Sequence, residues 1–211
     1  MLLCACLAVA GTPAAAHIQV LRGKLLDLIQ RSDLIVIGTA DRVTPIGTSL
    51  VDTTVTIVRV LAGTATEKHV TFRGPTRFAA GERYVFFLRR APEGITGAQD
   101  AGTVFPCTPA DDASYQRTVQ ALTRALRSDL ATRPDAVRAA LIPALSAAPA
   151  PLRYSAALEL SALARDGHPP NTAERRRLEK LLHEPGTDPT LEPLLTEMIR
   201  LGAPPAPSGQ P

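Results

Sequence analysis

The sequence predicts an α+β protein in two parts, a small antiparallel β-barrel behind a short helix and then an all-α domain. Two observations carry this. Apolar residues recur with a period of two between Leu34 and Leu88, and with a helical period from Asp111 onward. Six of the eight aromatics also fall between Phe72 and Phe105, where a small β core needs bulk.

Val20 to Arg31 opens the first part as a helix, with Leu25, Leu26, Leu28 and Ile29 on one apolar stripe. Leu34-Ile35-Val36-Ile37 starts a strand that continues to Val43 and closes at Pro45 and Gly47. Val51, Thr53, Val55 and Ile57 alternate with polar residues in a second strand, which runs to Leu61 and stops at Gly63. Val70 and Phe72 mark a third, ended by Gly74-Pro75, and Gly81 opens a fourth over Arg83 to Leu88. A weak fifth is expected around Thr103 to Phe105. Short strands with turn residues between them suggest a barrel or sandwich, and two long leading strands select a five-stranded Greek-key barrel of the OB type.

Tyr115, Val119, Leu122 and Leu126 form one stripe of the next helix. Pro134-Asp135 opens another, through Leu145, with a kink expected at Pro143. Pro149 and Pro151 introduce a third, where Leu152, Ala156, Leu160 and Leu163 make one line and Tyr154 and Leu158 a second, so it should be buried on two sides. Thr172 is the expected N-cap of a helix over Ala173 to Glu184, and Pro189 and Gly202 bracket the last one. The expected divisions are a leader at 1–16, the barrel at 17–108, the helices at 109–202 and a disordered Pro-rich tail at 203–211.

The chain of 211 residues has 23 Lys+Arg and 20 Asp+Glu, a formal charge of +3. That excess is too small to argue for nucleic acid, and no basic run is interleaved with stacking aromatics. The apolar run Leu2 to Ala10, then Gly11-Thr12-Pro13 and Ala14-Ala15-Ala16, reads as a secretory signal cleaved after Ala16. No later segment is long and apolar enough to span a membrane. The expected location is periplasmic or extracellular. The alternative is a lipoprotein, because Leu3-Cys4-Ala5-Cys6 loosely resembles a lipobox with Cys6 lipidated, which would need a start codon further upstream. Removal of the leader takes Cys4 and Cys6 and leaves Cys107 alone, either a small buried hydrophobe or a thiol that dimerises the protein.

Ser32-Asp33-Leu34-Ile35-Val36-Ile37-Gly38-Thr39, Thr54 to Gly63, Val70-Thr71-Phe72 and Gly81 to Leu88 together resemble the netrin-like module, the OB-type barrel of the tissue inhibitors of metalloproteinases. In that family a disulfide-bonded N-terminal Cys grips the protease zinc. Here the first residue after the leader is His17 with no Cys near it, so the inhibitory chemistry is not carried over. Pro134 to Leu145 followed by Leu152 to Leu160 is similar to one pair of HEAT-type helices, and Ala173–Glu184 with Pro189–Leu201 to a degenerate second pair. A plain helical bundle is the alternative for this half.

His17 could offer an amine and an imidazole to a metal such as copper. His69, His168 and His183 stand in no metal-ligand spacing with it or with one another, so no metal or cofactor is expected. Asp111-Asp112 should serve the helix dipole, and Arg175-Arg176-Arg177 a solvated face or an acidic contact. There is no G-x-S-x-G, H-E-x-x-H, C-x-x-C or phosphate loop, and Cys107 would need a neighbouring His to act as a nucleophile. No catalytic residue is nominated. The expectation is an exported, non-enzymatic protein-binding or scaffold module. A protease inhibitor acting through the barrel's N-terminal edge, and an enzyme whose site is assembled by the fold, are the alternatives.

Overall fold

The runs Leu34-Ile35-Val36-Ile37 and Val85-Phe86-Phe87-Leu88 lack polar alternates, as strands covered on both faces do. The computed structural model, which describes residues 25–98 and 104–203, shows what covers them. β1 (Leu34–Ile46) turns at Gly47 into β2 (Leu50–Ala62), which pairs with β3 (His69–Gly74). β4 (Arg83–Ala91) returns beside β1 and continues into β5 (Gly94–Gly97). β5 then meets β3 in parallel, Arg73 opposite Thr96. The order β1-β2-β3-β5-β4 returns to β1, so the five strands close into an OB-like barrel.

The closing strand is Gly94–Gly97, not the expected Thr103 to Phe105. Four residues with a glycine at each end are too short to show an alternation, and their place is set by pairing with β4. Phe105–Pro106 forms an extra strand, β6, on the start of β4, while Thr103 lies outside the described residues.

Register shifts after Ile35, Ile37 and Ala40 bend β1 around the barrel. Gly38 sits at one of them, where a Cβ would come within 2.4 Å of the Val55 side chain. Gly63 ends β2 at φ +81°, and a Cβ there would meet the Asp33 carbonyl oxygen at 2.1 Å. Alternate residues of the apolar runs therefore face opposite ways. Val36, Phe86 and Leu88 point into the barrel, where Phe72, Phe78 and Phe86 stack with centroids 4.8–5.9 Å apart. Ile35, Ile37, Val85 and Phe87 point outward into a second core shared with the helices.

That outer core is built on α1 (Leu25–Arg31), α2 (Asp112–Ala125) and α5 (Ala150–Arg165). α3 (Arg133–Leu141) and α4 (Ala144–Ala147) are one helical run broken at Ile142-Pro143, as the proline requires. α5 buries Leu152, Ala156 and Leu160 of the expected line, but the rest of its buried face is made by Ser155, Ala157, Glu159, Ser161 and Ala164. Tyr154 and Leu158 of the expected second line are half-buried. α6 (Thr172–Leu182) and α7 (Glu192–Leu201) complete the layer. The N-cap of α6 is Asn171 rather than Thr172. Its side chain accepts the Glu174 amide at 3.0 Å while Glu174 accepts the Asn171 amide at 2.9 Å, a reciprocal capping box. Buried Glu159 of α5 accepts the Leu26 amide at 3.1 Å, placing a carboxylate at the start of α1. The leader, Cys4, Cys6, His17, the segment from Val20 to Lys24 and the tail from 204 lie outside the described residues. No helix among the described residues is long and apolar enough to cross a membrane.

Glu197 of α7 ties the far end of α5. It accepts from Arg165 at 2.6 and 2.9 Å and from Ser161 at 2.8 Å, and these bonds hold its carboxyl down at about 2. An unfolded glutamate titrates near ~4.3. The stabilisation is therefore complete above that value and is lost as pH falls toward 2. Urea midpoints should fall more steeply below pH ~4.3 for the wild type than for Glu197→Gln. Parallel slopes would contradict the assignment.

Candidate functional site

Where β4, β6 and α2 converge, one carboxylate collects three partners. Arg83 at the head of β4 reaches both oxygens of Asp112, at 2.5 and 2.6 Å, with both side chains mostly buried. Arg59 of β2 lies 3.9 Å from the same carboxylate and donates to Gln116 at 2.5 Å. The Cys107 thiol lies 3.5 Å from Asp112 and 3.4 Å from the Thr108 carbonyl, two alternative acceptors for its one proton. Asp111, next in sequence, turns the other way and accepts the Thr108 amide and hydroxyl at 2.8 and 2.7 Å. The adjacent aspartates thus have separate jobs. Asp111 caps the chain entering α2, whereas Asp112 clasps the helix to the barrel. The expected dipole role is local and does not anticipate this clasp.

Cys107 is 5% exposed, which places it as a small core residue and leaves it unavailable to a second chain. Burial, reinforced by the Asp112 hydrogen bond and charge, pushes its thiol up to about 12. Burial likewise raises the neighbouring Tyr115 phenol, which donates to the Pro106 carbonyl at 3.1 Å. A nucleophilic cysteine requires the opposite shift. In the folded protein, maleimide labelling of Cys107 at pH 8 should be slower than in urea by about three orders of magnitude, the ratio of thiolate available for a thiol at about 12 against an unfolded one at ~8.5. Equal rates would contradict the buried placement.

The three described histidines do not converge. His69 is exposed on β3, the His168 carbonyl accepts from buried Arg138 at 3.5 Å, and His183 Nδ1 bonds the Glu179 carbonyl oxygen at 2.7 Å. No cluster of three metal-ligating side chains occurs among the described residues. Arg138 is held by Glu174 at 2.6 Å and Asp135 at 2.9 Å, joining α3 to α6. Of the arginine run, Arg175 pairs with Glu179 at 3.4 Å, while Arg176 and Arg177 are exposed.

Two of the open depressions of the described residues are lined by arginines of the barrel or of α2. One, about 400 Å³ on the barrel, lies between β3 and β5, and its arginine, Arg73, is already neutralised by Asp52 at 2.9 and 3.1 Å. The other, about 330 Å³, runs between α2 and the α3–α4 elbow. Ala121, Ala139, Ala140, Pro143, Ala144 and Ala148 form its apolar floor and walls. Arg117 and Arg124 rise from α2 at its edge, both exposed, and no carboxylate lines it. Arg117 reaches only the Ser114 hydroxyl at 3.4 Å, and neither arginine has an acidic partner among the described residues. The depression thus has a largely apolar lining, with Ser114, Thr118 and Gln120 on the α2 side and two cations on its rim that lack an acidic partner among the described residues. Sequence reading missed it because the two arginines are seven residues apart on α2, and all but one of the alanines come from α3, α4 and the residue after it. No family model matches the chain, and the search of curated proteins finds none similar to it in sequence.

Proposed function

We propose that this chain is an exported, non-enzymatic protein-binding module that holds a partner segment in the groove between α2 and the α3–α4 elbow. The observation that carries the reading is the groove itself, with alanines and Pro143 inside and Arg117 and Arg124 unneutralised at its edge. Export rests on the leader pattern over Leu2 to Ala16. The resemblance of the first half to netrin-like barrels, and of the second to HEAT-type helices, supports recognition as the task, since both families work through surfaces. In this reading the barrel is the wall on which the recognition helices are mounted.

A photo-crosslinking amino acid at position 139, which is exposed and lines the groove, tests this in the native envelope or culture fraction. A discrete adduct is expected from position 139 and none from position 48, at the exposed tip of the first hairpin. No adduct, or the same adducts from both positions, would overturn the assignment.

A further inference from the structure

Resting on that reading of the groove, we propose that its occupant is a helical segment of a partner protein bearing two carboxylates two turns apart. Arg117 and Arg124 are separated by seven residues of α2. On a helix that is about 10.5 Å along the axis and nearly the same direction around it. A partner helix with acidic residues at i and i+7 repeats that spacing on one face. An extended chain does not, because its same-face positions fall about 6.6 or 13 Å apart.

The floor fits the same occupant. Ala121, Ala140 and Ala144 carry no more than a methyl group, so an incoming helix can approach within the close end of the 8–10 Å range for packed helices. Apolar residues between the two acids would fill the trough, the helix-in-groove mode of recognition. Charge selects as well. The lining holds two guanidinium groups and no carboxylate, so a basic helix of the same shape is rejected at the edge while an acidic one is drawn in.

The test uses the full chain after its leader and fluorescein-labelled, alanine-based helical peptides, read by polarisation at low and moderate salt. One peptide carries glutamates seven residues apart with leucines between them. A second has the glutamates five apart, on opposite faces, and a third has glutamines at the original positions. The first is expected to bind, at least about tenfold more tightly than the other two and more weakly as salt rises. Arg117→Glu with Arg124→Glu should weaken it by about tenfold or more, with circular dichroism unchanged because both positions are exposed. Ala139→Trp, which fills the trough, should abolish binding of all three. Equal binding of the three peptides would overturn the paired-acid proposal and leave the groove reading standing. Failure of every peptide, with the adduct from position 139 still formed, would do the same. Failure of both peptides and adduct would overturn the two together.

Discussion

Truncating Phe87 to alanine is expected to lower the free energy of unfolding by about 3–5 kcal/mol, the range for an aromatic removed from a closed core. Phe87 is 1% exposed on the outward face of β4. Its ring lies 5.4 Å from Phe105, which in turn lies 6.5 Å from Tyr115 of α2. The aromatic chain therefore crosses from the barrel wall into the helical layer, and removing the Phe87 ring opens a cavity inside that buried core. Phe86, one residue earlier, faces the barrel interior against Phe72 and Phe78. The two truncations should cost similar amounts but open opposite sides of one strand. Urea unfolding monitored by circular dichroism measures both. A loss below about 1 kcal/mol for Phe87→Ala would show that the helices do not lean on the barrel.

Asp112→Ala is expected to cost about 2–3 kcal/mol, because it strands the mostly buried Arg83 guanidinium, while the Cys107 thiol keeps the Thr108 carbonyl as an acceptor at 3.4 Å. The asymmetry of buried ion pairs supplies the control. Asp112→Leu combined with Arg83→Met removes both charges and should recover most of the loss. Asp112→Asn, which keeps an acceptor of the same shape, should fall between. If the single and double variants are equally unstable, Asp112 acts through packing and not through the pair.

The parts of this fold that were legible in the sequence are those where one local pattern carries one physical cause. The unbroken apolar runs at Leu34 and Val85 announce strands with two covered faces, and Pro143 announces a broken helix. β5 was not legible, since Gly-Ile-Thr-Gly has no period and its place depends on closure between β3 and β4. The cap of α6 falls at Asn171, one residue before the expected Thr172, because both are good caps and the reciprocal bond with Glu174 decides between them. The clasp was hidden for a different reason. Arg83 reads as the first residue of a strand and Asp112 as the start of a helix, and only the fold brings residues 29 apart in sequence into contact. The groove had the same obstacle, as alanines signal nothing until a neighbouring helix leaves them uncovered.

Both the clasp and the outer core say that the helical layer is seated on the barrel wall, so the groove's shape depends on strands that do not touch it. Native-state hydrogen exchange on the wild type and on Phe87→Ala tests that claim directly. The amides of β1 and β2 and those of α5 and α7 are expected to lose protection together in the variant, by the same free energy. Wild-type protection in the strands with exchange confined to the helices would contradict it.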